Sequence, residues 1–465
     1  VGIKEKIGAL LNPWVVAWAI GAAAFALVVV WQNLGLTFFW DEWDVVWATV
    51  ASPYYGILQD NGGNFFPLSR IVFALELSIF GTWYPGYMLV TSLLFGATAF
   101  TFNWLLDDGT RMRRIALSAF ALIYLSSSGV LFASSMGFML KWGLSPLLAL
   151  ISASFFIRSN DINRSRAKAL FFAWLFFFLS WAAFSSAIVL MALLIIGMIH
   201  FVPPAKNSSH TFSIRFRLST LIFLVSLIMV IVGIRLAELN PPINPLTSSA
   251  QDSVDGALSQ DLFSVIFQAV AVTIVGLISV IIALPIQNND FNAWLIIAMI
   301  NYLALVIGLL IIMIGIVYAI KRALPPRQLV FLFSLLLTTN LFISLTRTPL
   351  IHRYQTLWVL LAILVILSFF AWLSRIQVEW MTNLLLGLVV IAACVSVWHI
   401  GTGALSIANT ERQRDLADST ILNDPTTCLP EANKFLDQIA PTITGEVLCS
   451  LLVTLDERTW VLGRQ

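Results

Sequence analysis

The sequence predicts an all-α membrane protein, a bundle of about eleven transmembrane helices with further helices at the outer interface. Three observations carry this expectation. Only 11% of the 465 residues are charged, whereas soluble chains carry roughly 25%, so too few polar groups exist to cover a water-facing surface. Hydrophobic residues make up 59% of the chain, and the mean hydropathy is +0.90. The apolar residues also fall in blocks of about 18 or more, the length needed to cross hydrocarbon. In lipid each backbone polar group must be satisfied within its own segment, so such blocks are helices. The net charge of +2 does not point to nucleic acid, because the bias is local and sits in loops.

In order, the spans read as 13–33, 84–106, 115–135, 142–157, 169–184, 186–202, 218–237, 291–319, 328–346, 354–374 and 378–400. Half of the 26 Lys and Arg lie in four breaks between them: Asp107–Arg114, Arg158–Lys168, Pro203–Arg217 and Lys321–Arg327. The positive-inside rule assigns these breaks, with Lys4 and Lys6, to the cytoplasm. The first span is not expected to be a cleaved signal peptide. It is long, and no small-x-small pattern separates it from Trp40-Asp41-Glu42-Trp43-Asp44. Residues 262–285 are apolar enough to span, but spanning would move Lys321–Arg327 outside and invert the charge bias. A re-entrant or interfacial helix is expected there, with the N-terminus inside and the C-terminus outside.

Two regions then divide the chain: a transmembrane module over 1–400, which includes the outside loop 34–83, and an outside C-terminal region over 401–465. Residues 239–261 form a shorter outside loop. No internal repeat is evident. Cys394 falls inside the last span and reads as a packed apolar residue. Cys428 and Cys449 share the outside tail, where an oxidising compartment would allow a disulfide.

The chemistry concentrates after the first span. Asp41, Glu42 and Asp44 follow it directly, among Phe38, Phe39, Trp40 and Trp43. An interfacial aromatic belt accounts for Trp31, Trp40 and Trp43. It accounts less well for three acids within four positions. Asn61-Gly62-Gly63-Asn64-Phe65-Phe66-Pro67-Leu68-Ser69-Arg70 comes next, then an apolar helix through Phe80 and the break Gly81-Thr82-Trp83-Tyr84-Pro85. Pro67 suits the first turn of a helix. The helix 67–80 is too short to span and holds Arg70 and Glu76, so it is expected along the outer interface.

An Asp-Glu pair at the outer end of span one, a loop, a Pro-Leu start to a short helix and Phe80-Gly81 before span two resemble the membrane GT-C class of glycosyltransferases that use polyprenyl-phosphate sugars. Protein O-mannosyltransferases and lipid A aminoarabinose transferases are members. The resemblance covers the opening ~110 residues best. It departs where the family often shows Lys-Pro-Pro and this chain has Phe66-Pro67. It implies a GT-C-like bundle and an inverting transfer from a polyprenyl-phosphate sugar to a hydroxyl of a cell-envelope glycan, lipid or protein. The site would lie on the outer side of a bacterial inner membrane. It also implies that Asp41 is the base that takes the acceptor proton, a role typically contributing about 10²–10⁴-fold. Glu42 is grouped with it, and Asp44 and Glu76 stand as acceptor-side or supporting acids.

The leaving phosphate needs cations, and Arg grips phosphate oxygens in two-point fashion. Outside candidates are Arg70, Lys141, Arg347 and Arg353, with Tyr354 and His352 beside the last. Headgroup snorkelling is the bland alternative for Arg347 and Arg353, and a polar cap is the bland alternative for His352. Arg235 with Glu238 reads equally as a local ion pair. The cofactor expectation is none. Several members of the class use a divalent metal, and Asp41 with Asp44 offers oxygens, but no cluster with ligand spacing exists. No Walker A pattern and no GxGxxG after a strand occurs, so a nucleotide-sugar donor is not expected. Three rival readings remain, one of them a non-enzymatic scaffold membrane subunit in which Asp41 and Glu42 are merely solvated. A flippase or transporter would show repeated halves and mid-membrane acids. An O-antigen polymerase or ligase would place its chemistry in a later, large outside loop.

Overall fold

The computed structural model describes residues 12–32, 65–159 except Thr82, 166–202, 210–239, 326–346 and 355–375, with isolated residues and short runs within 34–49, 265–277 and 382–397. All regular structure among the described residues is helical. The helices are α1 (Pro13–Gln32), α2 (Pro67–Phe80), α3 (Pro85–Leu106), α4 (Arg111–Leu125) and α5 (Ser128–Ser134). A 3-10 turn, Gly137–Leu140, runs into α6 (Lys141–Ser159). Then follow α7 (Arg166–Ala183), a second 3-10 turn Ser185–Ala187, α8 (Ile188–Phe201), α9 (His210–Leu239), α10 (Arg327–Thr346) and α11 (Gln355–Arg375).

Among the described residues, six segments are long and apolar enough to cross a membrane: α1, α3, α6 with its leading turn, α7, α9 over Ile214–Ala237, and α11 over Trp358–Arg375. The chain is a helical membrane protein. The expected spans 186–202 and 328–346 coincide with the shorter apolar helices α8 and α10. The expected span 115–135 is instead two helices. The Ser126 and Ser127 hydroxyls donate back to the carbonyls of Ile123 and Tyr124 at 3.1 and 2.7 Å, and Ser127 turns extended at ψ 140°, so the backbone leaves the helix there. The expected span 291–319 lies outside the described residues. Within 262–285 the described residues are helical, and Thr273 accepts a hydrogen bond from Asn340 of α10 at 2.8 Å, both buried.

α8 is the central post: every residue from Ile188 to Ile199 is buried. Around it small residues let backbones close up, as membrane helices require in the absence of a hydrophobic drive between them. A Cβ on Gly96 of α3 would lie 2.9 Å from Ala22 Cβ of α1. Hydroxyls supply the remaining glue between α6 and α7. Ser145 donates to the Ser180 carbonyl at 3.1 Å, Ser180 donates to the Ser145 carbonyl at 2.9 Å, and Ser152 donates to the Ala173 carbonyl at 2.8 Å. The outer faces are apolar. Phe171, Leu175 and Phe178 of α7, and Leu224, Ile228 and Ile231 of α9, are exposed. An apolar exterior around a hydroxyl-bearing core is the arrangement hydrocarbon selects. Cys394, expected packed, is instead exposed. On a helix facing lipid a small, weakly polar side chain can remain on the surface without cost.

The described residues in and beside the expected cytoplasmic breaks gather at one end of the bundle. Arg114 Nε sits 3.0 Å from both Asp107 carboxylate oxygens. Arg113 donates to the Leu106 carbonyl and lies 4.8 Å from the Phe201 ring centroid. Arg158 stands over Trp104 at 5.5 Å, Arg215 donates to the Val202 carbonyl at 2.9 Å, and Gln328 donates to the His200 and Phe201 carbonyls. Burial draws the Arg113 guanidinium below its ordinary pKa, and the charges of Asp108 and Asp107 oppose that shift. The C-terminal ends of α3, α6 and α8 therefore meet the N-terminal ends of α4, α9 and α10.

Candidate functional site at the opposite end of the bundle

The other end is assembled from the starts of α3, α6 and α8, the end of α7, and α2. Pro67 opens α2 with a fixed φ where no intrahelical donor is needed. Gly81 closes it at φ 56° and ψ −117°, a backbone state natural to glycine. Its N–H bonds to the Leu77 carbonyl, and its carbonyl accepts from Tyr87 Oη at 2.7 Å. The start of α2 is bolted to the α7–α8 junction. The Phe65 N–H donates to Ser185 Oγ and the Ser185 N–H donates to the Phe65 carbonyl, both at 3.1 Å. Ser69 donates to the Ala183 carbonyl at 2.7 Å.

α2 is inside out by the standards of a soluble helix. Ile71, Leu75 and Ile79 recur every fourth residue and are exposed, whereas Ser69, Arg70, Phe73 and Glu76 are buried. In water a surface helix turns its apolar stripe inward. The reverse pattern fits a helix whose outer face meets hydrocarbon and whose charges face the protein interior. The sequence places this helix at the outer interface, and its fixed contacts make it part of the wall of the bundle's end.

Three sequence-predicted residues are placed here. Arg70 is 2% exposed, Glu76 3% and Lys141 7%. Lys141 Nζ lies over Phe66 and over Phe138, 4.2 Å from each centroid, and 5.6 Å from the Phe184 centroid. The Arg70 guanidinium lies over the same Phe66 ring at 5.1 Å. One phenyl ring thus serves both cations. Glu76 is on the buried side of α2, about 9 Å of helical rise beyond Arg70. Tyr84 donates to the Ser135 carbonyl at 3.1 Å and accepts from the Gly137 N–H at 3.2 Å, which fixes the turn leading to Lys141. A Cβ on Gly137 would meet Tyr87 Cβ at 2.5 Å, so this approach requires glycine. Arg235 is exposed on α9, two residues past Gly233, which abuts Ser185.

Asp41, Glu42, Asp44, Arg347, His352, Arg353, Tyr354, Cys428 and Cys449 lie outside the described residues. The described positions flanking them have definite places. Trp18 Nε1 donates to Ser118 Oγ of α4 at 2.8 Å, and Ala22 meets Gly96 at the middle of α3. α1 therefore runs from the basic end and ends, at Gln32, at the same end as Arg70 and Lys141. Val45 and Val46, next to Asp44, are helical and fully buried, and Thr49 donates to the Val45 carbonyl at 2.6 Å. α10 begins at the basic end, and Phe370, near the end of α11, meets Phe120 of α4. Thr346 and Gln355, which bracket Arg347–Tyr354, thus end and begin their helices at the site's end.

Among the described residues no group of three or more His, Cys, Asp or Glu side chains is arranged to hold a metal ion. Phe66, Phe138 and Phe184, which wall the Lys141 ammonium, were not singled out by sequence as site residues. No protein family, curated protein or solved structure matches the chain.

Proposed function

We propose that the chain is an inverting membrane glycosyltransferase of GT-C type that moves a sugar from a polyprenyl phosphate to a hydroxyl of a glycan, lipid or protein. It acts on the outer side of a bacterial inner membrane through a bundle of about eleven spans. The observation that carries this reading is the pair of buried cations, Arg70 and Lys141, on one ring at the end of the bundle where α1 ends. Buried positive charge at a lipid-facing wall suits a phosphate that arrives laterally on a lipid tail. Arg353 and Arg347, with His352 and Tyr354, belong to a connection whose flanking helices terminate at this end, and they join the grip on the leaving phosphate. Asp41 takes the acceptor proton as the hydroxyl attacks the anomeric carbon. The bond to the lipid phosphate breaks, and the phosphate leaves with the electron pair. Glu42, Asp44 and Glu76 orient the base and the acceptor.

The test is transfer by the purified protein from radiolabelled polyprenyl-phosphate sugars in lipid nanodiscs. Asp41→Asn is expected to lower turnover by about 10²-fold or more, while donor binding stays near that of the unaltered protein. Substantial residual turnover would remove Asp41 from the role of base. Arg353→Ala is expected to raise the donor KM, and unchanged kinetics would reduce that residue to a membrane anchor.

A further inference from the structure

The Phe66 ring is the common neighbour of Arg70 and Lys141. It is fully buried. Its place is fixed by the Phe65–Ser185 hydrogen bonds on one side and by the Phe138 ring, 5.5 Å away, on the other. Arg70 follows one helical turn later, and its N–H donates to the Phe66 carbonyl at 3.1 Å. That backbone bond sets the two residues one turn apart, and the Arg70 guanidinium lies 5.1 Å from the Phe66 ring centroid. Lys141 approaches from α6, a separate element. Phe138 and Phe184 complete its aromatic walls, and Phe184 packs in turn edge-on against Trp142 at 4.6 Å.

The negative face of an aromatic ring attracts a cation most strongly where water is excluded. We propose that Phe66 is a positioning residue: its ring, which lies against both the Arg70 guanidinium and the Lys141 ammonium, orients them as a two-point clamp for the phosphate of a lipid-linked ligand. The choice of a polyprenyl phosphate as that ligand rests on the glycosyltransferase reading. The clamp itself rests on the ring geometry. Arg70 contributes a planar fork and Lys141 a point charge, a pairing suited to a phosphate with several oxygens. Phe66 touches neither donor nor acceptor in this account and acts only through the two cations.

The distinguishing experiment replaces Phe66 with phenylalanines carrying one, two and three ring fluorines. Fluorination withdraws electron density from the ring face and changes its shape little. Polyprenyl phosphate binding to the full chain in nanodiscs is measured alongside sugar transfer, with phosphatidylglycerol as the competing phosphate source. Affinity is expected to fall with each fluorine, by about 2- to 30-fold across the series, while the apparent melting temperature stays level. F66L should match the trifluoro variant, and F66W should retain binding. A flat fluorine series in a protein that still binds polyprenyl phosphate overturns the clamp and leaves the glycosyltransferase reading standing. Graded loss of binding without transfer of any labelled sugar supports the clamp and removes that reading. Failure of the unaltered protein to bind polyprenyl phosphate overturns both. Equal binding of phosphatidylglycerol supports the clamp and ends its selectivity for a polyprenyl ligand.

Discussion

Lys141 sets the energetics of the site at the scale of single residues. An ammonium that is 7% exposed has left most of its hydration behind, and three phenyl faces replace part of it. Hydrogen bonds to charged groups contribute about 1.5–3 kcal/mol each, so Lys141→Gln is expected to raise the donor KM by roughly tenfold or more. Lys141→Arg keeps the charge and the ring contacts and should recover part of that loss. Donor-dependence curves for transfer check both, and a glutamine variant with unaltered KM would make Lys141 a structural cation. The sequence marked Lys141 because a charge inside an apolar stretch is costly and therefore conspicuous. It did not mark Phe138 or Phe184. The chain has 34 Phe, and an aromatic side chain in a membrane span carries no signal that separates a ring beside a cation from a ring in the core.

Elements explain why the short helix is rigid. α2 is fixed at its start by Phe65, Ser69 and Ser185 and at its end by Gly81 and Tyr87, leaving Ile71, Leu75 and Ile79 outward. Spin labels on single cysteines at 75 and 79, in a background lacking the native cysteines, should be more accessible to oxygen than to a water-soluble nickel complex. The reverse preference would place this face in water and undo the inside-out assignment. The α1–α3 contact makes a second prediction. A side chain added at Gly96 runs into Ala22 at 2.9 Å and its carbonyl oxygen at 3.0 Å. Gly96→Leu is therefore expected to cost about 1–3 kcal/mol of overpacking. It should appear as a lower apparent melting temperature in detergent. Transfer should fall with it, because α1 ends at the pole that holds Arg70 and Lys141. Both the pairing of Gly96 with Ala22 and the break at Ser126–Ser127 escaped the sequence for one reason. Hydropathy reports how apolar a segment is, but not where two backbones touch or where a hydroxyl competes for a carbonyl.

At the scale of the whole molecule, the polarity of the bundle was the most legible feature, since it follows from where Lys and Arg are concentrated between apolar blocks. Arg113, Arg158, Arg215 and Gln328 meet the helix ends at one pole, and Arg70, Glu76 and Lys141 are buried at the other. The two poles differ in kind. Arg113, Arg158 and Arg215 lie at helix ends beside the loops, the pole that the positive-inside rule predicts to be cytoplasmic. At the opposite pole Lys141 is enclosed by Phe66, Phe138 and Phe184, and Arg70 is buried over Phe66, so neither counts as a loop charge under that rule. This difference predicts sidedness directly. Cysteines introduced at Asp44 and Arg113 should react with a membrane-impermeant maleimide from opposite sides, Asp44 in intact cells and Arg113 only in inverted vesicles. Labelling of both from one side would mean that α1 and α3 do not cross as antiparallel spans, and the buried cations would then have no outer-leaflet phosphate to meet. Labelling of Arg113 from outside and Asp44 from inside would preserve the bundle and reverse it, placing the site at the cytoplasmic surface. A water-soluble nucleotide sugar would then be within reach as donor, and the case for a lipid-linked one would lose its basis.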